Sequence, residues 1–208
     1  YCIECIGLIA SYLPIANNIP LKEWLRICYI LIDLLKAEDK SIRKQVIHTF
    51  GCIAKTIGPS EVILTLLDNL RVNDRTSRVC TTVAIAIIAK ECGLFTILPL
   101  LCQEYRTPSI HVQNGILKAL SFICEYIQHF SIDYIYTLVP LITNAFQDID
   151  PIHRQLGANV VKYLALNSYG YGVEECFIHF LNYIWPNIFE YSPHLSTAIL
   201  EAIEAIHK

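Results

Sequence analysis

Methionine is missing from all 208 residues. No initiator stands at the start: the chain opens inside an apolar-periodic run, Tyr1 to Leu13, and closes inside another, Thr197 to Lys208. Both ends read as cuts through a longer array. Charge is also scarce: Asp, Glu, Lys and Arg make 17% of the residues, against about 25% in an average soluble domain. With 54% hydrophobic residues, the faces of this chain need covering by its own neighbours or by partners. Membrane insertion is not the answer, because a spanning helix needs roughly 20 apolar residues in a row. Lys90 and Glu91 interrupt the best stretch, Val83 to Cys102. No segment has the pattern of a signal or transit peptide. Net charge is −3, which argues against a generic polyanion binder; any such role must be local.

Signatures of catalysis are absent as well. Tyr169-Gly170-Tyr171-Gly172 lacks the lysine and the strand context of a phosphate loop, and no nucleophile elbow occurs. Cys2-x-x-Cys5 is the single close cysteine pair. Tetrahedral zinc would need two further ligands nearby, so i,i+3 packing in a helical core explains the pair better. The histidines at 48, 111, 129, 153, 179, 194 and 207 are scattered. Neither enzyme, metal nor cofactor is expected. Cys28, Cys52, Cys80, Cys92, Cys102, Cys124 and Cys176 sit singly among apolar residues, which predicts reduced thiols in a core.

What is present is helical periodicity, with no convincing strand alternation. Helices are expected over 1–13, 21–37, 41–57, 60–71, 76–91, 94–106, 110–129, 132–147, 151–166, 173–190 and 193–207. Breaks fall at Pro14 and Asn17–Asn18, Gly58-Pro59, Gly93, Pro108-Ser109, Asp148 to Pro151 and Ser192-Pro193. Pro186 should kink or shorten the helix around it. Most tyrosines and phenylalanines, with Trp24 and Trp185, fall at core spacing. Tyr126, Tyr134, Tyr136, Tyr169 and Tyr171 lie near helix ends and could meet a partner.

Long helix, short turn, long helix recurs with a period. Arg43, Arg78, Gln113 and Arg154 follow one another at steps of 35, 35 and 41 residues. Four residues before each stands an N-cap: Asp39, Asp74, Ser109 and Asp150. Helix pairs repeating near 40 residues identify HEAT or armadillo arrays. The expected architecture is therefore all-α, an α-solenoid superhelix of HEAT repeats. It would be one segment over 1–208, cut as a partial repeat to 18, then 19–58, 59–93, 94–130, 131–170 and 171–208. Each pair exposes an apolar face that only the next pair covers, which accounts for the low charge.

Basic residues gather at the turns within repeats: Lys40, Arg43, Lys44, Arg71, Arg75, Arg78, Arg106 and Arg154. Stacked along one ridge, they would form a basic rail on an acidic chain, suited to a phosphate backbone or an acidic peptide. Arg43, Arg78 and Arg154 share one repeat position and are read as a structural ladder with the capping acids Asp39, Asp74 and Asp150 of adjacent turns. Arg71 and Arg75 are not repeat-locked and are left to face a ligand, where a guanidinium suits phosphate. They stand at the mouth of the dry helix that runs to Ala89.

Longer segments carry a more specific likeness: EWLRICYILIDLLKA (23–37), IAKTIGP (53–59), RVCTTVAIAIIA (78–89), VQNGILKALSF (112–122), DYIYTLVPL (133–141), HRQ (153–155), NYIWPNIFE (182–190) and SPH (192–194). Together they resemble the C-terminal HEAT repeats of the splicing factor 3b subunit 1 family, the large scaffold of the spliceosomal particle that recognises the intron branch site. The resemblance implies a nuclear, non-catalytic pre-mRNA splicing scaffold whose superhelix clasps the duplex of branch site and small nuclear RNA. It further implies a pocket for the bulged branch adenosine, shared with splicing-modulator macrolides. A PHD-finger-like, zinc-bearing small subunit would complete that pocket, alongside other splicing factor 3b subunits. The family's pocket arginine and following valine fall on Arg75 and Val79, with Arg71, where the family often has lysine, and Val112 to Asn114 nearby. The alternative is a HEAT adaptor that grips proteins, as nuclear transport receptors and phosphatase scaffolds do. Asn17, Asn18, Asn69 and Asn73 are the residues that hint at it.

Overall fold

The computed structural model describes residues 1–12, 16 and 18–208. Pro14 and Asn17, expected to close the first helix, lie outside the described residues, as does Asn17's place among the hints of an adaptor. The described residues form α-helices and two 3-10 helices, with no strand among them. In order they are α1 (Cys2–Ser11), α2 (Leu21–Leu34), α3 (Lys40–Ile57), α4 (Pro59–Asn69), α5 (Arg75–Cys92), α6 (Leu98–Tyr105), α7 (Ile110–Ile127), a 3-10 helix (Gln128–Tyr134), α8 (Ile135–Phe146), α9 (Pro151–Asn167), α10 (Glu174–Ile184), a 3-10 helix (Trp185–Phe189) and α11 (Pro193–His207).

The expected helices are all there, with shifted ends. The helix expected from 94 starts at Leu98 after a turn. The one expected over 173–190 stops at Ile184, and Pro186 sits in the 3-10 helix that follows, where its missing N–H is tolerated. Short side chains begin the long second helices as read. Asp39 accepts from the Ser41 N–H at 2.8 Å, Asp74 from the Ser77 N–H at 2.6 Å and Asp150 from the Ile152 N–H at 3.0 Å. Each satisfies a donor that the first helical turn leaves orphaned. Gly58 and Gly93 end α3 and α5 at φ 93° and 89°, a backbone region that a side chain would resist. Pro59 can then open α4 at once.

Two compact units divide the chain, Tyr1–Ala119 and Leu120–Lys208, with α7 running through the boundary. In the first, α2 packs on α3 and α4 on α5, while α1, α3 and α5 stack side by side and α4 lies between α2 and α6. Its core is built on Trp24, Leu31, Phe50, Ile53, Ile63, Leu66 and Ile85, all essentially inaccessible. Gly51 lets the second helices meet closely: a Cβ there would stand 3.1 Å from Ile87 Cγ2. In the second unit α9 packs on α8 and on α11, and α8 on α10. Leu138, Ile142, Val161, Leu164, Phe180 and Ile199 fill that core.

Side-chain contacts carry the period into three dimensions. Lys55 pairs with Glu91 and Arg71 with Glu104. Gln45 bonds Glu4 at 2.8 Å, Tyr136 bonds Glu175 at 2.8 Å, and Lys162 pairs with Glu201 at 3.0 Å. Partners in each case lie about one repeat apart, which is how an array whose members touch only their neighbours must be wired. Within a repeat, Asn69 ties α4 to α5: its buried Nδ2 donates to Ser77 Oγ at 3.0 Å and to Thr81 Oγ1 at 2.7 Å. Asn69 thus has a packing role, not that of an adaptor's binding asparagine. All nine cysteines are free thiols, but only Cys28, Cys124 and Cys176 are buried. Burial lifts the Cys28 and Cys124 thiols to about 12, which makes them inert packing groups. Cys2 and Cys5 correct the reading of a core pair: both are exposed on α1.

Candidate functional site

The second helices of the first unit concentrate positive charge. Helix α3 carries Lys40, Arg43, Lys44 and Lys55 with no acid, and α5 carries Arg75, Arg78 and Lys90 against Glu91. Eight side chains of α5 are buried, from Ser77 to Ala89, which follows from its apolar composition. Among the positions it leaves open are four at four-residue spacing: Arg75, exposed, and Val79, Val83 and Ile87, half-buried. A guanidinium thus stands above a line of aliphatic side chains, a surface that can take an anion at one end and an apolar or stacked group beside it.

The structure places the expected site residues unequally. Arg75, the first residue of α5, is exposed and makes no hydrogen bond or ion pair among the described residues. Val79 follows one turn on, half-buried, and its carbonyl accepts from Thr82 Oγ1 at 2.7 Å. Arg71 departs from the expectation that it is free: its guanidinium is ion-paired with Glu104 on the next first helix, although about half the side chain stays exposed. Asn114 is half-buried and has a partner. Val112 has no accessible surface at all, so its contribution is packing beneath the surface. Helix α7 comes close to this corner because Gly115 has no side chain: a Cβ there would lie 3.0 Å from Leu70 Cδ2, next to Arg71.

The ladder position also works differently from the expected pairing with capping acids of adjacent turns. Arg43 Nη1 donates to the Ala37 and Glu38 carbonyls at 2.5 and 2.8 Å. Arg78 Nη1 donates to those of Val72 and Asn73 at 2.7 and 2.8 Å. Gln113 Nε2 donates to Tyr105 and Thr107 carbonyls at 3.1 and 3.0 Å. Three members therefore staple the turn of their own repeat, which uses otherwise orphaned carbonyls at a helix end. Arg154 instead reaches onward, to Asn187 Oδ1 and Glu190 Oε1, each at 2.7 Å.

One residue escaped the sequence reading. Lys118 on α7 is half-buried and flanked by the buried Leu117 and Ala119. Burial, and then the nearby Arg75 guanidinium, hold its ammonium below the usual lysine range. Its signal was visible as a single cation in the apolar run GILKAL, four residues after Asn114 and so on the same helix face. Of the tyrosines, Tyr136 is committed to Glu175. Tyr126 is half-buried and stacked on Phe122 with centroids 6.1 Å apart, Tyr134 is half-buried, and Tyr169 and Tyr171 are exposed. Among the described residues no group of three or more His, Cys, Asp or Glu could hold a metal ion, and no helix is long and apolar enough to cross a membrane.

Helix pairs joined by contacts one repeat apart, with capped second helices and stapled turns, define an all-α solenoid of HEAT type. This is a scaffold kind of protein. Residues 55–134 match the family described as PPP2R1A-like HEAT repeat. Over 98% of its length the chain is 52% identical to the U2 snRNP component prp10 of Schizosaccharomyces pombe, and 50% identical to the U2 snRNP component HSH155 of Saccharomyces cerevisiae. It spans only 17% and 21% of the length of those two relatives. Among solved structures it is similar to an engineered protein, with a TM-score of 0.55 and 17% identity over 99% of this chain and 88% of that one. It is also similar to a designed armadillo repeat protein in complex with a (KR)4 peptide, with a TM-score of 0.53 and 15% identity over 98% and 91%. At such identities these structures speak for the fold alone.

Proposed function

We propose that this chain is a stretch of a nuclear pre-mRNA splicing scaffold of the U2 particle that holds RNA on the second helices of its first unit. In this reading the basic faces of α3 and α5 take phosphates of the duplex between branch site and small nuclear RNA. Arg75 and Val79, with Arg71 and the Val112–Asn114 segment around them, form part of the branch-adenosine pocket, which splicing modulators would also enter. The PHD-finger-like, zinc-bearing subunit and other splicing factor 3b subunits would close it. The observation that carries the reading is identity at half of all positions, along nearly the whole chain, with two proteins named as U2 snRNP components. The exposed and unpaired state of Arg75 supports it. A bulged adenosine suits such a corner because it is already unpaired and can lie against aliphatic side chains while its phosphate meets a guanidinium.

The test is Arg75→Ala in the assembled particle. It should reduce branch-site engagement or modulator sensitivity while helicity and assembly stay normal; normal splicing with normal modulator response would remove Arg75 from the pocket. A bulkier residue at Val79 should alter the same two readouts. The match of residues 55–134 to a PPP2R1A-like HEAT repeat favours a second reading, a protein-gripping adaptor. RNA crosslinking of the particle separates the two: crosslinks near 71–79 belong to the splicing reading, and their absence to the adaptor.

A further inference from the structure

The two units carry opposite charge. Tyr1–Ala119 holds thirteen lysines and arginines against ten acids, and Leu120–Lys208 holds three against nine. All three cations of the second unit are spent: Arg154 on Glu190, Lys162 on Glu201 and Lys208 on Glu204. Its surplus is acidic. Asp133 and Glu174 are exposed carboxylates with no ion pair among the described residues.

The same unit leaves aromatic rings in water between those acids. Phe130 and Tyr171 are 62% and 50% exposed, and His129 is exposed as well. The His129 ring lies 4.2 Å from that of Phe130 and 6.4 Å from that of Tyr171, nearly parallel to the latter at 15°. The backbone bends to present them. Gln128 takes φ 52°, a region that residues other than glycine seldom enter, and Ser131 Oγ holds this turn by donating to the Gln128 carbonyl at 2.6 Å. Gly170 and Gly172, at φ 81° and 69°, bracket Tyr171 in the facing turn. A second contact, from the Tyr136 hydroxyl to Glu175, joins the same two segments, so residues 128–136 and 171–175 meet along one edge. Asp133 belongs to the first of these segments and Glu174 to the second. Rings stacked at the surface bury little area, so packing alone does not account for them, and a contiguous patch of this kind marks an interaction site.

Charge selects the occupant. RNA bases also stack on aromatic rings, but a strand brings phosphates, and the acids on this edge repel them. A guanidinium answers both features, because it is a planar cation that stacks on an aromatic face and pairs with carboxylates. We propose that this edge of the second unit receives an arginine-rich segment of a partner protein, with one guanidinium on the Tyr171 and His129 rings and others on Asp133 and Glu174. The proposal stands apart from the RNA reading of the first unit and needs none of its residues.

The experiment titrates the full chain with fluorescein-labelled octa-arginine, octalysine and an oligouridylate. The variants are Tyr171→Leu, Tyr171→Phe, Glu174→Gln and, as a control on an exposed tyrosine of the first unit, Tyr29→Leu, each checked for unchanged helicity. Octa-arginine should bind severalfold more tightly than octalysine. Tyr171→Leu should remove that preference, Tyr171→Phe should keep it, and Tyr29→Leu should change nothing. Glu174→Gln should weaken both peptides and reduce the salt dependence. Phe130→Leu, on the other side of His129, repeats the test if Tyr171→Leu alters helicity. Equal binding of the two peptides would overturn the stacking argument, and unchanged octa-arginine binding in Tyr171→Leu and Phe130→Leu would overturn the site. Oligouridylate binding that falls in Tyr171→Leu would overturn it in favour of RNA, and self-association that falls in the same variant would assign the edge to a second copy of the chain.

Discussion

Arg154 donates to Asn187 Oδ1 over 2.7 Å, across 33 residues of sequence. The same Nη1 atom reaches Glu190 at 2.7 Å, and only 14% of the arginine side chain is exposed. Asn187, itself buried, turns its own amide to the Tyr183 carbonyl at 2.8 Å. The arginine therefore pins the 3-10 helix after α10 to the first turn of α9. Truncation would leave the Asn187 oxygen buried without a donor, at a cost of about 1–3 kcal/mol. Arg154→Ala should lower stability by that amount in urea unfolding, and Arg154→Lys should recover only part, since the shorter lysine side chain does not reach as far as Nη1 does. A change under about 0.5 kcal/mol would mean that water replaces the arginine.

Arg78 and Gln113 perform one task with different chemistry. Both donate from a terminal nitrogen to carbonyls of the turn just behind them. Charge is then incidental, and Arg78→Gln should be tolerated within about 0.5 kcal/mol, while Arg78→Ala should cost about 1–2 kcal/mol through two lost acceptors. Salt separates this from an ion-pair ladder: the Arg78→Ala penalty should hardly change with added KCl. A penalty that disappears in high salt would restore the pairing with capping acids.

Why the position was legible and its partner was not follows from geometry. Periodicity of 35 residues finds the arginine and the N-cap because both are set by the helix start, a local event. Whether a long side chain then turns back to its own loop or forward to the next depends on the loop. Ahead of α9 the loop is already closed by Asp148, which accepts from the Asp150 N–H at 2.7 Å, and Arg154 is released to the next pair. Ahead of α3 and α5 no acid does this, and Arg43 and Arg78 fill the place. The Arg71–Glu104 pair was invisible for a similar reason: its separation of 33 residues matches no step in the second helices, because first helices keep their own register. Val112 was placed near the pocket by the family resemblance, yet its side chain has no accessible surface. Lys118 was not singled out, since sequence does not reveal that its charged neighbour is Arg75 and not a carboxylate. Fold class, helix positions and capping thus lay in local patterns, whereas the site depends on which side chains of different repeats come together.

Asn69 holds the first unit's buried polar cluster. Its amide donates to Ser77 Oγ and Thr81 Oγ1, and Thr81 in turn donates to the Ser77 carbonyl at 2.8 Å. All three side chains are nearly inaccessible. Asn69→Ala should cost about 1–3 kcal/mol because the hydroxyl oxygens lose their donor in a dry site. Replacing all three with apolar residues of similar volume should recover most of that loss. If the triple variant is as unstable as the single one, the cost lies in packing and the polar cluster is a passenger.

His153 makes the second unit sensitive to acid. It lies in the first turn of α9, 2% exposed, and burial lowers its pKa from 6.5 while the weaker pull of Asp148 and Asp150 raises it. The folded state thus keeps the imidazole neutral at a pH where the unfolded chain already binds a proton. Stability is full above about 6.5 and is lost as pH falls from there towards the depressed folded value, because the unfolded state then holds more protons. Thermal unfolding followed from about pH 7 to about pH 5 should show the midpoint falling with acidification. His153→Gln, which cannot titrate, should be less stable at neutral pH but show a flatter profile over that interval. A profile equally steep in both proteins would assign the acid sensitivity to carboxylates instead, and His153 would then be a packing residue without a part in pH dependence.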